Sequence, residues 1–419
     1  MNNPIIGFCG LTHLGISSAI ASISKNFQTI CYDENIDTVN TLNKGNLIIT
    51  EPLIEDALNK KKHLIEFTHN IKKIEICDIV YVSIDIETES NGVSDLNRIN
   101  KLMDKILSHL SYNKILIVLS QVPPGFTREY SKIKHLLFYQ VETLIFGKAY
   151  ERAMYPERII VGSADPKIGL PKVYLNFLNN FNCPIINMKY ESAELTKISI
   201  NLFLLSSLST ANKMAEICEN INADWYEIIP ALKLDKRIGS HAYISPGLGV
   251  AGGNLERDLT TISLLSQNKA IDDDLFRAFN KINKDRKSWV WKQLTKIFKD
   301  KIIKKIAILG LTYKENTHSL KNAPSLELLP MLEKHDIIVY DPVVKVNDRF
   351  PWCKHAKGSF EAIKNADILI IMTPWKEFKD LSLEMVSKEM KGNIIIDPFN
   401  VFDRLEIKKN KLISIVIGS

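Results

Sequence analysis

The feature that most constrains this chain is a strand–turn–helix–strand unit that occurs twice. Residues 4–9, PIIGFC, form a short apolar run; Gly10 follows, then a helical pattern from Ile16 to Ile23, then FQTICYD ending at Asp33. Strand, helix and strand within about thirty residues is the βαβ signature, which requires a parallel strand pair and a right-handed crossover. A second unit begins at Lys305: IAILGL reads as a strand, Pro324–Leu332 as a helix and DIIVYDP as the next strand. Apolar runs at Cys77–Ile84, Ile115–Ser120, Ile159–Val161 and Ile185–Ile186 extend the first sheet, and DILIIM and NIIIDP the second. Helical patterns separate most of them. The expected fold class is therefore α/β, with a parallel doubly wound sheet at each end of the chain.

The middle reads differently. From Ser192 to about Cys218 there is neither proline nor glycine, and apolar residues recur at helical spacing. One long helix is predicted, capped near Glu191–Ser192. More helix follows through Trp225–Leu232, then a glycine-rich stretch from Gly239 to Gly253, then a helical stretch from about Leu255 to Phe298. The expected organisation is 1–190, a Rossmann-like dinucleotide-binding domain; 191–300, a central helical region; and 301–419, a second Rossmann-like domain. A chain of 419 residues is long enough for two or three such cores.

Composition narrows the class of partner. With 45% hydrophobic and 24% charged residues the chain has the proportions of a soluble globular protein. The 54 basic and 48 acidic residues leave a net charge of +6, spread along the chain, which gives no argument for nucleic acid. No apolar run reaches the ~20 residues that cross a bilayer, and the N-terminus has no secretory pattern, so a cytoplasmic protein without a membrane partner is expected. The six cysteines, Cys9, Cys31, Cys77, Cys183, Cys218 and Cys353, show neither a CxxC pair nor metal-ligand spacing. They read as reduced packing residues, and no metal site is expected.

Gly10-Leu11-Thr12-His13-Leu14-Gly15 closes the first strand and opens the first helix. It would be the dinucleotide fingerprint G-x-G-x-x-G if Thr12 were glycine. That motif gives a tight turn, close approach of backbone to a pyrophosphate, and an anion seated on a helix N-terminus. Asp33 ends the second strand, where a carboxylate bonds the ribose hydroxyls of NAD and disfavours the phosphate of NADP. The candidate NAD contacts are Gly10, Thr12, Leu14, Gly15 and Asp33, with Ser83 and Ser120 on two further strands. Thr12 is expected to weaken the site or shift the diphosphate.

Further pieces follow in order: SQVPPGFT from Ser120, YPER from Tyr155, AELTKISIN from Ala193, RIGS from Arg237, SPGLGVAGGNLERD from Ser245, GLTYKENTHSLKNAPS from Gly310, VYDP and MTPWKEF. Together they resemble the UDP-glucose/GDP-mannose dehydrogenase family, the nucleotide-sugar 6-dehydrogenases, from the first strand to about residue 400. The resemblance implies NAD as cofactor, a nucleotide-sugar substrate (a UDP-hexose or UDP-N-acetylhexosamine), a homodimer through the long central helix, a C-terminal domain that binds the nucleotide sugar, and a setting in polysaccharide synthesis. The family's reaction takes four electrons from C6 in two hydride transfers and passes through a cysteine thioester. By transfer, Lys197 and Asn201 are oxyanion partners and Asp258 the acid/base group; Glu157, from YPER, and Gln121 join them. Arg158, Arg237, Tyr243 and Lys314 are assigned to the substrate, with Gly247, Gly249 and Gly252 bringing backbone close to it.

The chain departs from the pattern at Asn254, which falls where the family has its nucleophilic cysteine. Gln121 replaces a threonine, Glu256 and Arg257 a proline and a lysine, His318 and Ser319 paired aspartates, Lys321 an arginine and Phe399 another arginine. An amide cannot replace a thiolate in acyl-enzyme chemistry. The expected activity is therefore C6 oxidation by hydride transfer without the covalent half-reaction. The alternatives are oxidation through a hydrated aldehyde, an epimerase or dehydratase using transient oxidation, and a non-catalytic nucleotide-sugar-binding homologue.

Overall fold

A computed structural model of the chain describes residues 3–89, 92–132, 135–346 and 348–419. It divides into two compact units, residues 1–200 and 201–419.

The first unit is built on eight strands: β1 Ile6–Cys9, β2 Thr29–Tyr32, β3 Ile65–Thr68, β4 Ile79–Val82, β5 Ile115–Val118, β6 Leu136–Gln140, β7 Ile159–Ser163 and β8 Ile185–Lys189. Their order is β3-β2-β1-β4-β5-β6-β7-β8. The central strands IGFC, TICY, IVYV and ILIV are buried along their whole length, as strands covered on both faces must be. Helix α1, His13–Ser24, follows β1. Strands β3 and β6 have no counterpart in the runs named from the sequence. The pairing is also not parallel throughout: β6 and β7 run antiparallel, Tyr139 opposite Gly162. The connection of residues 141–158, with the short helix Ala149–Met154, turns the chain back without a full crossover, and a parallel neighbour would need one.

The second unit holds six parallel strands, β9 Lys305–Leu309, β10 Asp336–Tyr340, β11 Lys354–His355, β12 Ile368–Ile371, β13 Ile394–Ile396 and β14 Ile413–Ile415. Their order is β11-β10-β9-β12-β13-β14. Helix α2, Tyr190–Ile221, carries the chain from the first unit into the second; it is 32 residues long and starts slightly before the predicted cap. The helical stretch expected over Leu255–Phe298 is three helices: α3 Asn254–Asn268, α4 Asp274–Lys287 and α5 Trp289–Asp300. The first break falls at Ala270, with φ 54°. There Asp273 receives hydrogen bonds from Ser263 Oγ at 2.6 Å and Gln267 Nε2 at 2.8 Å, which ties the turn to the preceding helix. Pro324–Leu328 is α-helical and Leu329–Leu332 tightens into a 3₁₀ turn. Among the described residues no helix is long and apolar enough to cross a membrane.

The two units share more than a strand–helix–strand pattern. Each first strand is followed by Gly-Leu-Thr, and each second strand ends in Tyr followed by Asp. Gly10 has φ 98° and Gly310 φ 95°, a region glycine occupies without steric cost. The Gly10 N–H donates to Tyr32 O and the Gly310 N–H to Tyr340 O, both at 2.8 Å. Asp33 Oδ2 accepts from the Leu11 N–H and Asp341 Oδ2 from the Leu311 N–H, both at 2.7 Å. The carboxylate after the second strand thus clamps the turn after the first in both units.

Candidate active site

The turn after β1 is held from three sides. Asp33 is buried, and its other oxygen accepts from the Asn35 N–H at 2.9 Å. Ser83 Oγ lies 3.2 Å from Cys9 O and 3.1 Å from Gly10 O. A Cβ on Gly15 would stand 2.0 Å from Gly10 O, so α1 packs on the turn as closely as the third fingerprint glycine allows. Ser120 Oγ donates to Ile84 O at 2.6 Å. The hydroxyls of Ser83 and Ser120 therefore fix the crevice backbone. Leu14 turns its side chain into the core, which leaves its backbone for a ligand.

Thr12 is where the site differs. Its hydroxyl accepts the Asp85 N–H at 2.9 Å and lies 3.3 Å from Ser83 O. A side chain thus stands where the motif leaves backbone bare, and it bridges to the loop after β4. The crevice keeps the parts that suit a dinucleotide's ribose end, namely the Gly10 turn, the α1 N-terminus and Asp33 at the end of β2. The diphosphate position is the altered one.

Farther along the same sheet, Lys197 Nζ pairs with Glu142 Oε1 at 2.8 Å, and both side chains are close to nine-tenths buried. Glu142 lies two residues beyond β6, at the carboxyl end of the sheet, where ligand crevices form. The carboxylate beside Lys197 is therefore Glu142. Glu157 is exposed and pairs with Arg152 at 3.3 Å and Arg158 at 2.9 Å. Arg158 is thereby committed to its neighbour. The sequence patterns do not single out Glu142, because they do not reveal β6; LLFYQ followed by Val-Glu is the available signal. Gln121 is buried just beyond β5. The following turn is anchored to α2 by Glu194, whose carboxylate accepts from the Gly125 N–H at 2.6 Å and the Thr127 N–H at 2.8 Å.

In the second unit, Asn201 Nδ2 donates to Asp258 Oδ2 at 2.5 Å, and Arg257 Nε lies 3.7 Å from the other oxygen. Asp258 and Arg257 are both buried. Asn254 is the first residue of α3, exposed, one turn before Asp258. Residues four apart share a helix face, so Asn254 stands on the Asp258 side of the helix. Lys197 and Asn201 have the same spacing on α2.

The glycine loop before α3 is pinned backbone to side chain. The Gly247 N–H donates to Asn212 Oδ1 at 2.9 Å and Gly247 O accepts from Arg286 Nε at 3.3 Å. Asn283 Oδ1 accepts the Val250 N–H at 2.5 Å. The Gly252 N–H donates to Lys321 O at 2.9 Å, and a Cβ on Gly252 would press on the Tyr313 ring. The loop thus packs on the segment that carries Lys314, whose ammonium sits 5.8 Å from the centre of the Tyr313 ring. Tyr243 is exposed. Arg237 lies apart: its guanidinium is exposed and bonded to Asp235 at 2.6 Å. Gly249 has φ +84°, and an added Cβ would fall 2.5 Å from Asn283 Oδ1. Gly249→Ala is expected to cost about 1–3 kcal/mol, because strain and a lost backbone bond add. A thermal melt lowered by several degrees checks it.

None of the six cysteines is in a disulfide. Five are buried and Cys183 is half-buried. Burial pushes every thiol up: Cys77 and Cys353 to about 12, and Cys9, Cys31, Cys183 and Cys218 upward from the ordinary thiol value. A neutral, enclosed thiol is a poor nucleophile.

Residues 5–178 match the NAD binding domain of the UDP-glucose/GDP-mannose dehydrogenase family, residues 191–285 its central domain and residues 307–404 its UDP binding domain. The UDP-glucose 6-dehydrogenase of Rickettsia prowazekii (strain Madrid E) is 30% identical over 436 residues, covering 99% of each chain. The fold is that of a UDP-glucose dehydrogenase from Pyrobaculum islandicum (TM-score 0.84, 22% identity, 96% of this chain and 95% of that one). A UDP-D-ManNAc dehydrogenase from Pyrococcus horikoshii is similarly close in fold (TM-score 0.85, 22% identity, 99% of each).

Proposed function

Because the chain belongs to the UDP-glucose/GDP-mannose dehydrogenase family, we propose that it oxidises C6 of a UDP-hexose or UDP-N-acetylhexosamine by hydride transfer and stops short of the thioester. The family consists of NAD-dependent nucleotide-sugar dehydrogenases, and the chain carries its NAD-binding and UDP-binding domains. The observation that carries the proposal is Asn254 at the head of α3, one turn from the buried Asp258 and its Asn201 partner.

NAD, when bound, supplies the hydride acceptor. This chain's residues do the rest. Oxidation of an alcohol requires removal of the hydroxyl proton and stabilisation of the oxyanion that develops. The Lys197 ammonium and the Asn201 amide are the donors for that oxygen. Asp258 takes the proton through a water and is held for this by Asn201 and Arg257. Glu142 holds the Lys197 ammonium. The alcohol thereby loses one proton and one hydride and becomes an aldehyde. The next step of the family reaction needs a thiolate, and Asn254 cannot attack.

The protein acts as a homodimer through α2, in line with the exposed Phe203, Ile217 and Ile221 on that helix. Its setting is cytoplasmic polysaccharide synthesis. Purified protein is to be incubated with NAD⁺ and a panel of UDP-sugars. Growth of NADH absorbance with an aldehyde or its hydrate at C6 is expected; no absorbance and an unchanged sugar across the panel refute the proposal.

A further inference from the structure

Resting on the NAD-dependent reading above, we propose that Asp85 is an internal anion seated at the diphosphate position of the first βα turn, so that NAD binds only as Asp85 gives up its charge or its place. The loop after β4 brings this residue to the N-terminus of α1. Its backbone N–H donates to Thr12 Oγ1 at 2.9 Å, and Thr12 is the residue that replaces the fingerprint glycine. Its carboxylate faces the Thr12 hydroxyl and the His13 N–H, donors of the first turn of α1. Those are the groups a dinucleotide uses to hold its pyrophosphate. Asp85 is exposed at the crevice, and its carboxylate bonds back to the Thr12 hydroxyl and the His13 N–H.

The two departures act together. Thr12 alone narrows the approach to the turn. With Asp85 latched to it, the positive end of the helix is answered by a charge of the protein's own. The surroundings do not offset that charge. A cavity of about 290 Å³ beside Asp85 is lined by Glu34, Glu87 and Asp95 against Arg98 and Lys101. An incoming diphosphate therefore meets like charge at a site that otherwise attracts anions.

The consequence is a proton linkage. Burial raises the Asp85 carboxyl above the ordinary range, and Glu142 pushes it the same way; Thr12, His13 and the His13 N–H pull it down. A bound diphosphate adds negative charge beside Asp85 and raises it further, so binding takes up a proton. Affinity for NAD⁺ then rises as pH falls through the Asp85 range. His13 lies nearby and pairs with Glu51 at 2.8 Å, so its contribution must be separated from that of Asp85. Asp85→Asn does this, since it keeps the shape, Thr12 and His13 and removes only the charge.

The test is calorimetric binding of NAD⁺ from pH 5.5 to 8.5, with thermal melts to confirm that both proteins are folded. Wild type is expected to bind about tenfold more weakly at pH 8.5 than at pH 5.5, with proton uptake seen as a buffer-dependent heat; a one-unit shift in a linked group corresponds to tenfold. Asp85→Asn is expected to bind about tenfold more tightly than wild type at pH 8.5, with a flattened profile. Equal affinities for the two proteins, or an unchanged pH dependence in Asp85→Asn, overturn the Asp85 inference and leave the NAD reading intact. Absence of binding by both folded proteins at every pH overturns both.

Discussion

Lys197→Ala is expected to lower kcat by roughly 10²–10³, the loss seen when one donor to a developing oxyanion is removed. Lys197 is nearly enclosed and its ammonium is 2.8 Å from Glu142. The substitution therefore also leaves a carboxylate with little access to water and, among the described residues, only the Leu144 N–H, at 2.8 Å, as partner, at about 3–5 kcal/mol. The two effects are separable. The double variant Lys197→Met, Glu142→Gln removes both charges and keeps much of the volume, so its melting temperature should recover while turnover does not. Turnover that recovers with the melting temperature would make the pair structural and remove Lys197 from the chemistry. Steady-state rates and thermal melts on the three proteins decide the matter.

The second large effect is a gain. Asn254→Cys is expected to restore the covalent half-reaction, moving the product from aldehyde to uronate and the yield from one NADH per sugar to two. The position suits a nucleophile. It is exposed, it opens the 15-residue helix α3, and it lies one turn from Asp258. A helix N-terminus lowers a thiol's pKa. The wild-type protein should keep its activity when treated with iodoacetamide, because five of its thiols are buried, Cys183 is half-buried and outside the candidate site, and all six are raised; the variant should be inactivated. A variant that binds substrate, reacts with iodoacetamide and still gives only aldehyde would show that more than the thiol has been lost. Glu256 and Arg257, where the sequence reading expects further departures, are then the next residues to exchange.

Much of the scaffold is legible because it is written in short-range chemistry. A glycine that must adopt positive φ, followed by a helix and then a strand ending in aspartate, leaves few folds open, and the chain does this at Gly10–Asp33 and again at Gly310–Asp341. The long helix is legible because nothing between Tyr190 and Ile221 interrupts it. What escapes depends on distant partners. The reversal of β7 is set by the connection of residues 141–158, and β6 is only the five residues LLFYQ. Without that strand Glu142 stays hidden and Glu157 takes its place, although neighbouring arginines occupy Glu157 at the surface. The loop at Asp85 carries no motif of its own; only the fold brings it to Thr12. The breaks at Ala270 and Ser288 carry neither glycine nor proline, so the sequence pattern runs three helices into one.

The central claim is that this scaffold performs hydride transfer without a thiol at position 254. Its most direct test is the stoichiometry of a single-substrate reaction: NADH formed per UDP-sugar consumed by the wild-type protein, with the sugar product identified by NMR and the protein's intact mass followed during turnover. One NADH per sugar, an aldehyde or hydrate at C6 and no covalent adduct are predicted. Two NADH per sugar with a uronate product and an acyl adduct on any cysteine would contradict it.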